Sequence, residues 1–108
     1  MFAGSSPARG TMKTTELIPV FIENCPEGKD MEEGKIYISK KYGMANHLCA
    51  CGCKEQTPMG FKPEWKDGWT LIENPDGTIS FSPSIGNFDG QKPYHAHYFI
   101  ISNKIIWC

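Results

Sequence analysis

Four potential metal ligands fall within seven consecutive residues, His47 to Cys53, in the order His-Leu-Cys-Ala-Cys-Gly-Cys. Two further histidines, His95 and His97, lie in a second short segment. All three histidines of the chain and three of its five cysteines are therefore in two places. Structural zinc is bound by four such thiolate and imidazole ligands. The clustering predicts one zinc site built from two distant segments.

Strand geometry limits which of these ligands can share one ion. Residues two apart on a strand point to the same face and lie roughly 6.6–6.8 Å apart, so neighbouring ligands can reach a common zinc. The four ligands of the first segment cannot all do so in an extended row, and a turn is required. Gly52 is where that turn is easiest, because glycine has no Cβ. The preferred ligands are Cys49, Cys51, Cys53 and His97, and the alternatives are His95 and His47.

Length and charge exclude several classes of protein. A chain of 108 residues fits one domain, which buries only about 60–70% of its unfolded surface, so a metal would add needed stability. A net charge of −1 predicts no nucleic-acid or membrane footprint. Neither an apolar run of about 18 residues nor a signal peptide is seen, so we expect a cytoplasmic protein. In that reducing compartment, an odd number of cysteines favours metal binding over disulfides.

The first fifteen residues are small and polar, without periodicity, and we expect a flexible leader there. Residues 16–108 are expected to form a single zinc-binding β domain. Short strand-like runs follow one another, of which residues 17–22 form an edge strand because they contain Pro19. No window of about 11 residues has a helical period. The predicted fold is all-β, or β-rich α+β, with a small antiparallel sheet or open barrel.

Two hairpins are the clearest local features. One turns at Asn74-Pro75-Asp76-Gly77, where proline presets the first turn position and glycine supplies a positive φ. The other turns at Ser102-Asn103, between the apolar runs 95–101 and 104–107. The predicted core residues are Ile36, Ile38, Leu71, Ile79, Phe81, Phe99, Ile101, Ile106 and Trp107. The long loops 50–67 and 83–93 are typical of segments that carry function or are tied by a metal.

From Phe21 onward the chain resembles a family of small bacterial proteins known as domain of unknown function 6527. Three motifs carry the resemblance: HLCxCGC at 47–53, PSIGN at 83–87 and HYFI at 97–100. Members are often found beside ubiquitin-like conjugation genes, so the resemblance implies a role next to protein modification and a protein partner. The family usually has Cys-x-Ser-His-Tyr where this chain has Tyr94-His95-Ala96-His97-Tyr98. If that cysteine is a ligand in relatives, His95 can replace it here, since it shares a strand face with His97. Otherwise the site has one ligand fewer, and water fills the position.

The PSIGN segment has two interpretations. Its proline, glycine and asparagine predict a turn. Alternatively, Ser84 acts as a nucleophile and Asn87 as an oxyanion donor. A nucleophilic serine needs a positioned base, and His47 or His95 would have to be spare for that role.

The sequence supports two functions. The first is a non-catalytic, zinc-stabilised module that binds a protein partner in a bacterial ubiquitin-like pathway, because a closed site of four ligands supplies folding energy. The second is a metal-dependent hydrolase or peptidase-like enzyme with a zinc-bound water in an open ligand position.

Overall fold

The computed structural model describes residues 14–87 and 96–108, and that part of the chain forms eight named strands and one short 3-10 helix. The strands are β1 (Ile18–Phe21), β2 (Lys35–Ser39), β3 (Met44–Leu48), β4 (Gln56–Gly60), β5 (Thr70–Glu73), β6 (Ile79–Asn87), β7 (Ala96–Ile101) and β8 (Lys104–Trp107). The 3-10 helix is Gly28–Asp30. No helix within the described ranges has the length and apolar character that a membrane span needs.

The strands form two four-stranded sheets, in the orders β1-β2-β3-β4 and β5-β6-β7-β8. Only the β1–β2 pair of these sheets is parallel. Both sheets contribute to one buried cluster, which includes Ile36 and Ile38 from the first and Phe81, Tyr98 and Ile100 from the second. The all-β prediction is therefore confirmed, as two small sheets that share a core.

Both predicted hairpins are confirmed. β5 and β6 are joined by a turn in which Gly77 has a φ of 89° and donates its N–H to the Asn74 carbonyl at 3.0 Å. β7 and β8 are joined by Ser102 and Asn103, whose φ angles are 50° and 70°. Positive φ at both central residues suits a two-residue hairpin, because that turn's twist matches the twist of the flanking strands.

The predicted core is correct for Ile36, Ile38, Ile79 and Phe81, which are buried, and Leu71 and Trp107 pack against the core. It is wrong for Phe99, Ile101 and Ile106, which are 39%, 47% and 45% exposed. The buried residues of this hairpin are instead Ala96, Tyr98, Ile100 and Ile105. The run from Ala96 to Ile101 is almost entirely apolar on both faces, so its periodicity does not show which face is buried.

Two further elements differ from the sequence prediction. The predicted loop 50–67 contains β4, which the sequence Gln-Thr-Pro-Met-Gly does not indicate, because proline and glycine are disfavoured in strands. β4 lies at a sheet edge, where Pro58 can be tolerated. The PSIGN segment was predicted as a turn and is part of the nine-residue strand β6.

Candidate functional site

Ser84 lies in a bulge of β6. The pairing of β6 with β7 places Phe81 opposite Ile100 and Ile85 opposite Tyr98. Between these two pairs β6 advances by four residues and β7 by only two, so β6 has two extra residues around Ser82-Pro83-Ser84. A bulge accommodates a proline, which cannot donate to the ladder, and re-aims the side chains that follow. This is the physical reason why the segment forms an irregular strand rather than the predicted turn.

The bulge places the Ser84 hydroxyl next to a histidine. Ser84 Oγ lies 2.9 Å from His97 Nε2 on the neighbouring strand β7, and both residues are half-buried. When Nε2 is unprotonated, the hydroxyl donates this hydrogen bond. A serine with an imidazole within hydrogen-bond reach is the arrangement of an activated nucleophile and its general base.

Two backbone contacts hold the pair from either side. Trp69 Nε1 donates a hydrogen bond to the Ser84 carbonyl at 3.3 Å, and the Cys108 N–H donates to the His97 carbonyl at 3.1 Å. Trp69 is itself fixed, because its backbone N–H donates a hydrogen bond to the Gly60 carbonyl at 3.0 Å. The two reactive side chains therefore belong to backbones that are tied down, as a site that must keep its geometry requires.

The cysteine cluster follows β3 directly. Gly52 has a φ of 95° and donates its N–H to the Cys49 carbonyl at 3.2 Å, which is the turn predicted at this glycine. Cys49, Cys51 and Cys53 have sulfur atoms within 4.8 Å of one another, and all five cysteines of the chain are thiols rather than disulfides. Zinc–sulfur bonds are about 2.3 Å long, so two sulfur atoms bound to one tetrahedral zinc lie about 3.8 Å apart, within the 4.8 Å limit seen here. The three cysteines could therefore hold a metal ion.

The Cys51 thiol needs a nearby positive charge to lose its proton at neutral pH. Burial, together with the neighbouring thiols Cys53 and Cys49, raises the pKa of Cys51 to about 12. Without a positive charge the thiol stays protonated at neutral pH, whereas a bound metal deprotonates a coordinating thiol.

The histidines lie in different places. His47 is fully buried, and its Nε2 lies 2.7 Å from the Tyr98 hydroxyl. Burial lowers the pKa of His47 to about 4, so the ring is neutral. His47 Nδ1 has no hydrogen-bond partner among the described residues. His95 lies outside the described residues.

Tyr98 separates the two groups of reactive side chains. It is buried, and both desolvation and the nearby Cys49 raise the pKa of its phenol. Because consecutive residues of a strand point to opposite faces, His97 projects away from the side on which Tyr98 meets the cysteines. The structure thus brings the three cysteines together and brings His97 to Ser84.

Sequence reasoning considered Ser84 as a nucleophile but assigned its base to His47 or His95. The sequence did not connect Ser84 with His97, which was predicted as a ligand of the cysteine cluster. The side chain of Asn87 lies outside the described part of the chain, and its backbone pairs with Ala96. The signal that could have found the pair is a proline-serine step inside an apolar strand, since it indicates a bulge that turns the serine toward the next strand.

Comparisons with curated proteins and with solved structures gave no match. Residues 21–108 match a protein family, and they include both β6 with Ser84 and β7 with His97. Because that match covers most of the chain, the chain belongs to the BubE family, described as bacterial ubiquitination-like system serine protease.

Proposed function

We propose that this chain is a serine peptidase of a bacterial ubiquitination-like system, with Ser84 as the nucleophile and His97 as the general base. The observation that carries the proposal is the 2.9 Å hydrogen bond between Ser84 Oγ and His97 Nε2. The description of the family supports it, because it names both the serine chemistry and the protein-modifying system.

The chemistry follows from the positions of the two side chains. Ser84 Oγ attacks the carbonyl carbon of an amide, while its proton passes to His97 Nε2. The tetrahedral intermediate collapses, the carbon–nitrogen bond breaks, and His97 returns the proton to the leaving amine. The acyl group stays on Ser84 Oγ as an ester. His97 then takes a proton from water, the resulting hydroxide attacks the ester, and Ser84 leaves with the proton from His97.

The substrate class follows from the system rather than from a pocket. A ubiquitination-like system joins a protein modifier to other groups through the carbonyl of its chain end. We therefore propose that the acyl side of the cleaved bond belongs to the modifier and that the amine side is a peptide extension or a conjugated protein. This is a protein partner of the kind that family membership suggests.

The cysteine cluster is proposed to hold a structural zinc. Soft thiolates select zinc over magnesium or calcium, and Cys49, Cys51 and Cys53 supply three of its four ligands. We propose a histidine as the fourth ligand. His95 is preferred, because the sequence pattern offers it in place of the cysteine of related proteins and His97 Nε2 already contacts Ser84 at 2.9 Å. His47 is the alternative, because its buried Nδ1 has no hydrogen-bond partner among the described residues. The reduced thiols this site needs fit a cytoplasmic protein.

This assignment gives the metal and the nucleophile separate tasks. A zinc with four protein ligands keeps no open position for water and contributes folding energy. The zinc-stabilised, partner-binding module predicted from the sequence is thereby retained as the scaffold of an enzyme. The zinc-bound-water hydrolase is not favoured, because a hydroxyl already paired with an imidazole supplies the nucleophile.

The test replaces Ser84 and, as a matched control, Ser82 of the same bulge. Wild-type protein is incubated with the ubiquitin-like modifier of its system fused through a peptide bond to a fluorescent protein, and separately with a fluorophosphonate probe. We expect Ser84→Ala to lose cleavage by at least roughly 10³-fold and to lose labelling completely. Ser82→Ala should keep both.

His97→Gln should resemble Ser84→Ala, since it removes the base but keeps a polar side chain of similar size. Folding of each variant is checked by its melting temperature. Cleavage by Ser84→Ala at the wild-type rate would show that the nucleophile has been misassigned. Loss of cleavage in Ser82→Ala, with Ser84→Ala active, would move the reaction to the neighbouring serine.

A further inference from the structure

Three apolar side chains lie exposed on the face of the second sheet that carries His97. Phe99, Ile101 and Ile106 are 39%, 47% and 45% exposed, and we call them the outer patch. They are large hydrophobic residues on an ordered hairpin, where solvent-facing positions are usually polar. A contiguous apolar patch on the surface is a place where another molecule can bind.

The three side chains of the outer patch are neighbours on one face of the sheet. Phe99 lies directly opposite Ile106 in the pairing of β7 with β8, and Ile101 lies opposite Lys104. Ile101 and Ile106 are therefore diagonal neighbours on the same face, within reach of each other's side chains. The three residues form one apolar surface rather than scattered exposures.

The outer patch is also continuous with the Ser84–His97 pair. On β7 the exposed or half-buried positions are His97, Phe99 and Ile101, whereas the buried ones alternate with them. Residues two apart on a strand are separated by roughly 6.6–6.8 Å, so Phe99 is the next side chain along the face from the proposed base. On β6, the buried Ile85 follows Ser84, so the hydroxyl projects to the same outer side.

We propose that the outer patch is the docking surface for the folded domain of the protein modifier whose carbonyl is cleaved at Ser84. The proposal rests on the proposed function of that serine. A folded protein that places its chain end on Ser84 must lay the rest of its surface on the flanks of the pair. The flank along β7 and β8 is apolar, so the modifier meets it with aliphatic side chains of its own.

The docking surface adds what the reactive pair lacks. A serine and a histidine do not distinguish one peptide bond from another, and selectivity must come from binding energy at a distance from the reacting atoms. A few central apolar or aromatic residues commonly supply most of that energy at protein interfaces. Phe99 and Ile106, opposite each other, are placed to be those residues.

Binding is measured in the Ser84→Ala protein, so that no cleavage occurs during the titration. The probe is the ubiquitin-like modifier of the same system, and its dissociation constant is determined by calorimetry. Phe99→Ser combined with Ile106→Ser is expected to weaken binding by about tenfold or more. The matched control combines Phe21→Ser with Ile18→Ser, two apolar residues of the first sheet with 48% and 49% exposure, and should leave the dissociation constant unchanged.

The possible outcomes separate the docking proposal from the peptidase proposal. An unchanged dissociation constant in the Phe99/Ile106 variant, with an unchanged melting temperature, overturns the docking surface. An equal loss in the Phe21/Ile18 control overturns it as well, because the effect would not depend on the face. A wild-type dimer that the Phe99/Ile106 variant dissociates, with modifier binding unaffected, would make the patch an interface between copies. None of these results depends on whether Ser84 cleaves, which the fusion-protein assay decides.

Discussion

The buried hydrogen bond between Tyr98 and His47 makes the sharpest stability prediction. The Tyr98 hydroxyl lies 2.7 Å from His47 Nε2, and both side chains are fully buried. The Tyr98 ring also packs edge-on against Trp107, with centroids 5.2 Å apart. Tyr98→Phe keeps this ring packing and removes one oxygen atom. It leaves an imidazole in the core without the hydroxyl that its Nε2 contacts.

The expected cost is set by the desolvation of that imidazole. A buried polar group that loses its partner costs about 1–3 kcal/mol, and we take about 2 kcal/mol. Unfolding entropy is about 2.1 cal/mol/K per residue, which for a chain of 108 residues converts this cost into a fall of about 9 °C in Tm. Replacing both partners should cost less than the sum of the single changes, since the imidazole is then no longer left in the core without its partner.

Differential scanning calorimetry of four variants decides the matter. The control is Tyr42→Phe, which removes the same oxygen from a side chain that is 48% exposed and should change Tm by no more than about 2 °C. The single variant His47→Leu and the double variant His47→Leu with Tyr98→Phe test the coupling. If Tyr98→Phe melts at the same temperature as Tyr42→Phe, the Tyr98–His47 bond does not stabilise the core and the reasoning is refuted.

Three further predictions concern the metal, the serine backbone and pH. The purified protein should contain about one zinc per chain, and either a chelator or Cys51→Ser should lower Tm by roughly 10 °C or more. Protein isolated without metal, with its thiols still reduced, would contradict the zinc site. Trp69→Phe removes the indole N–H that donates to the Ser84 carbonyl and should lower kcat/KM by roughly fivefold. Trp65→Phe is the control and should leave kcat/KM unchanged. Equal rates for the two variants would show that the indole contact does not position the serine. Burial lowers the pKa of His47 to about 4, below the value of about 6.5 for an exposed histidine, so folding stability should fall as pH drops from about 6.5 towards 4, by up to about 3 kcal/mol. Urea titrations across this pH range should give a flatter slope for His47→Gln, and equal slopes would exclude His47 as the group responsible.

The elements that could be predicted from the sequence are those fixed by local chemistry. Gly77 takes the positive φ that ends its turn, and Asn103 does so in the second hairpin. Gly52 likewise turns the cysteine segment so that three sulfur atoms converge. Each of these turns depends on the conformational preference of one or two residues, and these preferences can be predicted without knowing which strands pair.

The features that could not be predicted depend on register between strands. The buried face of β7 could not be read, because apolar residues occupy both faces of the run that contains Phe99 and Ile101. The pairing of Ser84 with His97 arises from two extra residues in β6 opposite β7. Spacing along the sequence suggested that His97 belonged with the cysteines, since metal ligands cluster and no local signal reports which face a histidine takes.

The alternation of β7 explains how so small a domain can hold two groups of reactive side chains without mixing them. Tyr98 faces the core, where it meets His47 and lies near the cysteines, and His97 faces outward to Ser84. A zinc bound on the inner side would restrict the motion of β7, because it would tie the segment after β3 to the core to which Tyr98 belongs. A domain of this size has little apolar area from which to gain rigidity, so a metal is an effective way to hold a reactive strand in place. The outer side is the one proposed to bind a polypeptide, and the same strand extends from the proposed base His97 to the apolar side chain of Phe99.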